Sequence, residues 1–405
     1  MQKYTFLFLI LFFVCCKNKE NKNSRFTEKQ IASLHLKSAK ILTTEKDSVV
    51  KIDLNPFLKE QAFDFGSLIK EIKLIPLETK GESLLDNIEE VVVTDSNIYI
   101  RDDFKGGGIV IFNSNGKFIK RIASGKGPGE LMRLYDIDFD KDNDELIAFQ
   151  HSFLVFFTPT GEFIRQERLP FVNYNFSVLP NGYIFKTLDS QGNEHMGDLK
   201  DFTLLVTDKK FKFQSVGLFR TPISNNYGVY SYLFKNQNYI NVTQSFTDTI
   251  FRYEGVEGKL KAEYVLDYSD KRIPENYSKL SFDKFKNLVK KNNYYFYTGN
   301  YLATEYTNVF FLENWYIKKF TIIFRDKKTG HLIGGTDPYH DSQEIPPIAF
   351  PKFVSGEYFI SWYLPSPNDS FATKSKIISN ADKLKIKGLT ENDNPVLVFY
   401  KLKNF

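Results

Sequence analysis

Short apolar runs separated by turn residues recur from about residue 68 to the end of the chain. The clearest are NIYIRDD (97–103), GIVIFNSNGKFIKRI (108–122), ELIAFQ (145–150) and FLVFFTPTGEFIRQERL (153–169). Runs of this length, rich in β-branched and aromatic residues, predict strands. NSNGK and TPTGE each carry a glycine able to adopt positive φ, so each predicts a hairpin turn.

The hairpin pattern repeats six times, with one apolar anchor in the strand before each turn. These anchors are Phe112, Phe156, Val206, Phe251, Phe324 and Phe399. The first three spacings are 44, 50 and 45 residues, within the range of a four-stranded propeller repeat, and the last two are 73 and 75. The spacing therefore predicts six similar units, two of which carry insertions.

Both insertions can be located. Residues 270–296 place Phe282, Phe285 and Val289 at helical spacing, which predicts a short helix near 275–291. Residues 365–394 are rich in Lys, Ser and Pro and have little strand character. The expected fold is an all-β, six-bladed β-propeller over residues 49–405, with four-stranded blades. An N-terminal strand, VVKIDLNP (49–56), is expected to close the ring against residues 394–402; a tandem of β-sandwiches is the structural alternative.

The stretch GKGPGEL (125–131) predicts a tight turn. Pro128 and Gly129 suit the two central positions of a type II turn, because proline presets φ and glycine supplies a positive φ. Gly125 and Gly127 allow close backbone approach, and Glu130 could accept hydrogen bonds from nearby amides. A phosphate-binding loop is disfavoured, since the residues that follow alternate like a strand instead of forming a helix.

The N-terminus carries a targeting segment. Lys3 supplies a positive charge, and Phe6 to Val14 is unbroken apolar sequence, too short to span a bilayer as a mature helix. Cys15 and Cys16 follow directly and are the only cysteines of the chain. A disulfide between neighbours is strained, and a metal site has no adjacent His or Cys partner.

The stretch FFVCCKNKEN (12–21) resembles a bacterial lipoprotein signal, although Phe13 stands where an aliphatic residue is usual. The resemblance implies removal of residues 1–15 and lipidation of Cys16, with soluble export as the alternative. Lys17 after the cysteine implies the outer membrane, on either face. The polar residues that follow predict a flexible tether, so that residues 16–48 are expected to have little fixed structure.

Charge and composition bear on which classes of binding partner the sequence favours. The formal charge is +5 and basic residues alternate with acidic ones along the chain, which disfavours nucleic-acid binding. Phe and Tyr number 40 and 23, which favours strands further. NIYIRDDFKGGGIVIFNSNGKFIKRIASGKGPGELMRLYDIDFD (97–140) resembles an NHL-type propeller repeat. Residues 50–403 as a whole resemble six-bladed β-propeller lipoproteins of Bacteroides-like bacteria, a resemblance that implies the fold and says little about activity.

The sequence contains no catalytic constellation. Five histidines, His35, His151, His195, His331 and His340, have no zinc-ligand spacing, and no G-x-S-x-G is present. DIDFDKDNDE (136–145) loosely resembles a calcium loop but lacks its Gly and its closing Glu, so ordinary turns are expected there. GTDPYHDSQEIPP (335–347) could present Tyr339 and His340 to a ligand. Tyr-rich NYYFYTGNY (293–301) is expected to pack in the core.

These features favour a non-catalytic, lipid-anchored envelope propeller that binds an unknown protein or glycan ligand, with no cofactor. Two alternatives stay open. One is a metal-dependent enzyme of the lactonase or lyase type, with its metal in the central channel. The other is a structural scaffold of an envelope complex.

Overall fold

The computed structural model describes residues 25–102, 107–127, 129–150, 152–187, 192–220, 233–236, 239–255 and 259–405. Its strands form six antiparallel blades of four strands each, in a propeller arrangement. This confirms the predicted all-β, six-bladed β-propeller.

The blades are given from the innermost strand outward. Blade 1 is β6 (Glu90–Val93), β7 (Asn97–Asp102), β8 (Gly108–Asn113) and β9 (Phe118–Ala123). Blade 2 is β10 (Leu134–Asp140), β11 (Glu145–Gln150), β12 (Phe153–Phe157) and β13 (Phe163–Arg168). Blade 3 is β14 (Asn175–Leu179), β15 (Gly182–Lys186), β16 (Phe202–Asp208) and β17 (Phe213–Phe219).

Blade 4 is β18 (Leu233–Lys235), β19 (Ile240–Val242), β20 (Thr249–Tyr253) and β21 (Lys259–Asp267). Blade 5 is β22 (Phe296–Ala303), β23 (Thr307–Asn314), β24 (Lys319–Asp326) and β25 (Leu332–Gly335). Blade 6 is β27 (Phe353–Ser355), β28 (Tyr358–Tyr363), β29 (Val396–Leu402) and β5 (Ile69–Pro76), so its outermost strand comes from the start of the chain.

The six sequence anchors occupy equivalent places. Each lies in the third strand of its blade, namely β8, β12, β16, β20, β24 and β29. The two predicted hairpin glycines, Gly116 and Gly161, have φ of 83° and 86° between the third and fourth strands of blades 1 and 2. The repeat read from the sequence is therefore the repeat of the fold.

Both insertions lie between strands, as expected. The first contains a 3₁₀ helix (Glu275–Lys279) and α3 (Phe282–Lys291), whose Phe285 and Val289 are fully buried. The second, between β28 and β29, contains α4 (Phe371–Lys374) and α5 (Asn380–Lys385). Other 3₁₀ turns are Leu36–Ser38, Asn55–Phe57, Gly81–Ser83, Glu194–Asp201 and Ser269–Lys271. No helix among the described residues is long and apolar enough to span a membrane.

The ring closes through a different N-terminal strand from the one expected. β5 pairs antiparallel with β29, with Leu74 opposite Val398 and Ile72 opposite Tyr400. The expected clasp, residues 49–56, instead contributes β3 (Val50–Asp53), which pairs in parallel with β21 of blade 4. Both segments are short and apolar at alternate positions, so periodicity alone does not show which of the two closes the ring.

Residues 25–64 form an N-terminal belt that runs along the outer edges of successive blades. β1 (Lys40–Ile41) pairs in parallel with β17 of blade 3, and β2 (Thr43–Glu45) with β21 of blade 4. After β3, the strand β4 (Ala62–Asp64) pairs in parallel with β26 (Asp337–Tyr339), which follows blade 5. The belt thereby supplies hydrogen-bond partners to outer edges that would otherwise be unpaired.

The belt differs from the flexible tether expected over residues 16–48. From residue 25 it is held by buried anchors that recur every eight residues, Phe26, Leu34 and Leu42. Helix α1 (Glu28–Ser33) lies between the first two, and its capping box joins Thr27 and Gln30. Each anchor enters the apolar edge of a blade, and the intervening polar residues remain exposed.

The belt reaches the closure of the ring through α2 (Phe65–Leu68). Phe65 is fully buried, with its ring centroid 5.7 Å from that of Phe324 in blade 5 and 5.8 Å from that of Tyr400 in blade 6. The Phe65 side chain thus joins the belt to blades 5 and 6.

We expect Phe65→Ala to lower the free energy of unfolding by about 3–5 kcal/mol, because it leaves a cavity between two blades. Phe282→Ala, which removes a half-exposed ring from α3, should change it by about 0.5 kcal/mol or less. Urea unfolding followed by far-UV circular dichroism measures both. Equal losses in the two variants would contradict the role given to Phe65.

Candidate functional site

The innermost strands β6, β10, β14, β18, β22 and β27 surround a central channel. The cavity there has a volume of about 1830 Å³. This exceeds the size of most small-molecule pockets, so the channel could hold a large ligand or a peptide segment. Its wall mixes aliphatic, aromatic and charged side chains.

Carboxylates on the innermost strands bind backbone amides of the next blade. Glu90 Oε2 of blade 1 accepts from the Ile137 amide of blade 2 at 3.3 Å. Asp136 Oδ2 and Asp138 Oδ2 of blade 2 accept from the amides of Phe176 and Val178 in blade 3 at 2.8 and 2.7 Å. An innermost strand has one unpaired edge, and these carboxylates satisfy part of it.

Two cations complete this cluster. Arg101 Nε lies 3.1 Å from Glu90 Oε2. Lys235, on the innermost strand of blade 4, places its Nζ 2.9 Å from both carboxylate oxygens of Asp138 and 3.2 Å from the Phe139 carbonyl oxygen. Lys235 therefore reaches past blade 3 to blade 2, so the ion pair spans part of the channel.

The acidities of two of these carboxyl groups are strongly perturbed. Burial raises the pKa of Asp136 to about 6, against the pull of hydrogen bonds from Glu90 and the Phe176 amide. Burial and the neighbouring Asp136 raise the pKa of Glu90 well above its usual value. Desolvation is the largest cause in both groups, so both carboxyl groups keep their protons to a higher pH than is usual.

The rest of the acidic stretch 136–145 forms a turn. Asp140 Oδ1 accepts from the amides of Asp142 and Asn143, and its Oδ2 accepts from Lys209 Nζ of blade 3 at 2.6 Å. Burial opposes ionisation of Asp140, but Lys209 and Asn143 outweigh it and lower its pKa. The expectation of turns holds for this part, whereas the role of Asp136 and Asp138 between blades was not foreseen.

The glycine-rich stretch 125–131 lies between blades 1 and 2. Gly129 has a φ of 77°, and the Glu130 amide donates to the Gly127 carbonyl oxygen at 3.0 Å, as in a type II turn. Glu130 Oε2 accepts from the Gly127 amide at 2.7 Å. A side chain at Gly125 would collide with the Glu130 carboxylate, which explains the glycine. Pro128 lies outside the described residues, as does Cys16.

The described histidines lie in different surroundings. His195 is half-buried with Nε2 2.9 Å from the Pro170 carbonyl oxygen, beside Phe26 of the belt, and His331 lies beside Phe405. His35 is in the belt and His151 lies outside the described residues. Within the described part of the chain, no three His, Cys, Asp or Glu side chains are close enough to hold a metal ion.

The other candidates from the sequence lie at different places, and of these Tyr301 lines the channel. Tyr339 ends β26 and pairs with Asp64 of β4, His340 follows it, and neither residue lines the cavity. Tyr297 and Tyr301 of β22 are buried among core residues, as expected. Tyr135, by contrast, is 37% exposed and lines the channel, next to Arg133, whose φ is 54°.

These features define a six-bladed β-propeller with a wide channel whose charged groups link its blades. The chain belongs to the family described as "Domain of unknown function (DUF4934)", whose model matches residues 49–401. No curated protein matches the chain.

One solved structure shares the fold over most of the chain. A Bacteroides fragilis protein described as exported is 17% identical, with a TM-score of 0.69 over 88% of this chain and 100% of that one. A Bacteroides caccae protein of unknown function is 10% identical, with a TM-score of 0.37 over 62% and 82% of the two chains. BamB from Moraxella catarrhalis is 8% identical, with a TM-score of 0.35 over 65% and 64%. At 17% identity, the similarity to the Bacteroides fragilis protein shows the fold alone.

The raised pKa of Asp136 predicts how the stability of the fold depends on pH. Because the pKa of Asp136 is raised in the folded state, its protonated form stabilises the fold below about pH 3.8, and this contribution is lost as pH rises through about 6. Asp136→Asn keeps an acceptor for the Phe176 amide but cannot ionise. From pH 4 to pH 7.5, its stability should rise relative to the wild type, on the order of 2 kcal/mol.

Urea unfolding at both pH values measures this difference. A variant whose stability differs from that of the wild type by the same amount at both pH values would show that Asp136 does not titrate in this window.

Proposed function

We propose that the protein is an exported, lipid-anchored propeller of the outer membrane that binds a ligand or partner segment in its central channel without catalysing a reaction. The channel carries the proposal: about 1830 Å³, walled by apolar, aromatic and charged side chains together. A surface of that kind suits recognition, because apolar contacts supply binding energy and placed polar groups supply orientation.

The non-catalytic part of the proposal is supported by how the charged groups are used. Glu90, Asp136 and Asp138 are each hydrogen-bonded to a backbone amide of a neighbouring blade. Removing any of them would leave a buried amide unpaired, so their first role is to hold the wall of the channel together.

The location is supported by the N-terminal sequence. Phe6 to Val14 followed by Cys15 and Cys16 matches a lipoprotein signal, and Cys16 is the proposed lipid-bearing residue. The fold is shared with a Bacteroides fragilis protein that is described as exported, which agrees with this placement.

A photo-crosslinking amino acid at position 135 tests channel binding in cells that produce the full protein. Tyr135 is exposed and lines the channel, so we expect a defined adduct whose mass distinguishes a small ligand from a protein. The matched control is position 164 on β13, the outermost strand of the same blade, where Ile164 is 41% exposed. No adduct at 135, or the same adducts at both positions, would refute channel binding.

The anchor has a separate test. Cells fed a fatty-acid analogue should label the wild-type protein, and Cys16→Ala should abolish the label while the variant is still produced. Label that persists in Cys16→Ala but disappears in Cys15→Ala would place the attachment site at Cys15. Absence of label from both the wild type and Cys16→Ala would exclude the anchor.

A further inference from the structure

The outer edges of five blades are covered by other segments of the chain. Blades 3 and 4 pair with strands of the belt, and the Ile72 amide at the edge of blade 6 donates to the Ile377 carbonyl oxygen at 3.2 Å. In blade 5, Gln61 Nε2 donates to a carbonyl oxygen of β25 at 2.8 Å. In blade 1, the turn before β6 lies against β9, where Arg121 Nε donates to the Glu82 carbonyl oxygen at 2.8 Å.

The outer strand of blade 2, β13, is the exception. Within the described part of the chain, no segment pairs with its outer edge. The belt begins at Arg25, whose carbonyl oxygen accepts from Arg168 Nη2 at 3.3 Å at the end of β13, and it continues toward blade 3. Phe163 and Ile164, at the start of β13, are 43% and 41% exposed. An uncovered edge with exposed apolar residues is a surface to which a further strand can add.

The hydrogen bonds of β13 show which of its backbone groups face outward. The Leu169 amide donates to the Ser152 carbonyl oxygen at 2.8 Å, on the side of β12. Hydrogen-bonding direction alternates along a strand, so the N–H and C=O of Glu167 also point toward β12. Those of Gln166 and Arg168 point away from the blade, and these are the groups that an added strand would meet.

The charges along β13 fit a second copy of the same strand. Arg165 and Glu167 lie two positions apart on one face of the strand, with side chains 40% and 33% exposed. When two copies pair antiparallel with Gln166 opposite Gln166, each Arg165 lies opposite Glu167 of the other copy. Arg165 Nε already lies 2.8 Å from Glu167 Oε1 within the strand, so this pairing extends one ion pair into four alternating charges.

The two neighbouring symmetric registers place like charges together. Centring the pair on Arg165 sets two guanidinium groups opposite each other, and centring it on Glu167 sets two carboxylates opposite each other. Like charges directly opposite destabilise a pair of strands, so of the three registers the one centred on Gln166 is favoured. That register also sets the outward N–H and C=O of Gln166 against the same groups of the second copy, as antiparallel pairing requires.

We propose that β13 is an interface through which two copies of this protein pair edge to edge, with Gln166 on the two-fold axis. Each copy contributes the same surface, and the two copies of blade 2 become one eight-stranded sheet. One strand from each copy makes a small interface, so we expect a reversible dimer. This pairing goes beyond the proposed function and depends on neither the channel nor the lipid anchor.

Disulfide crosslinking in cells that produce the full protein tests the register. Opposite residues of a hydrogen-bonded antiparallel pair have Cα atoms about 5.5 Å apart, which is within the range of a disulfide. We therefore expect Gln166→Cys to give a crosslinked dimer on mild oxidation. Ile164→Cys should give none, because its two copies stand four residues apart along the strands, about 13 Å.

Matched controls isolate the interface. Gln214→Cys replaces an exposed glutamine of β17, the outermost strand of blade 3, whose edge β1 already covers, so it should give no crosslinked dimer. Cys15 and Cys16 are common to all variants, and the wild type gives their background.

Analytical ultracentrifugation of the purified mature protein tests the charge pattern. Glu167→Lys sets cations opposite each other at two places, so it should raise the dissociation constant of the dimer about tenfold or more. Far-UV circular dichroism checks that this variant folds as the wild type does.

Three results would overturn the pairing. They are a wild type that stays monomeric at every concentration measured, absence of crosslinked dimer from Gln166→Cys, and equal crosslinking of Gln166→Cys and Ile164→Cys. A disulfide between Gln166→Cys and a different protein would also overturn it, in favour of a strand from another partner. A dissociation constant unchanged in Glu167→Lys would overturn the register.

Discussion

Each blade of a propeller has two edges whose backbone hydrogen bonds the sheet itself does not satisfy, and this chain treats the two edges differently. The outer edges of blades 3 and 4 receive short parallel strands from residues 25–64, and blade 6 takes its whole outermost strand from residues 69–76. Inner edges receive carboxylates: Glu90, Asp136 and Asp138 each accept from an amide of the next blade. An unpaired buried amide costs about 1–3 kcal/mol, so these contacts determine how the blades stack.

Pairing the inner edges with carboxylates has a chemical consequence that pairing the outer edges with strands does not have. Carboxylates that serve the backbone must lie close together on neighbouring strands, because the amides they satisfy are close together. Burial then raises the pKa values of Glu90 and Asp136, and the charge of Asp136 adds to the effect on Glu90. The groups that join blades 1, 2 and 3 are therefore also groups whose ionisation is perturbed.

Much of the fold could be predicted from the sequence, because the blades repeat an apolar alternation at a recognisable spacing. The six anchors from Phe112 to Phe399 all occupy third strands. The belt was missed because Phe26, Leu34 and Leu42 are single anchors in polar sequence, and a parallel strand of two or three residues leaves no period to read. The channel cluster was missed for another reason. Glu90 and Lys235 are far from the DIDFD stretch in sequence, and only the ring brings them beside Asp136 and Asp138.

The pairing of Lys73 with Phe399 places an early and a late segment of the chain side by side in one sheet. A contact between residues so far apart along the chain is slow to form, since the loop between them must be ordered first. Blade 6 cannot acquire its fourth strand until residues 396–402 have emerged, so a chain still being synthesised or translocated has no closed ring. Once formed, the same contact ties an early and a late segment of the chain into one sheet. The closure thus favours late folding and slow unfolding together.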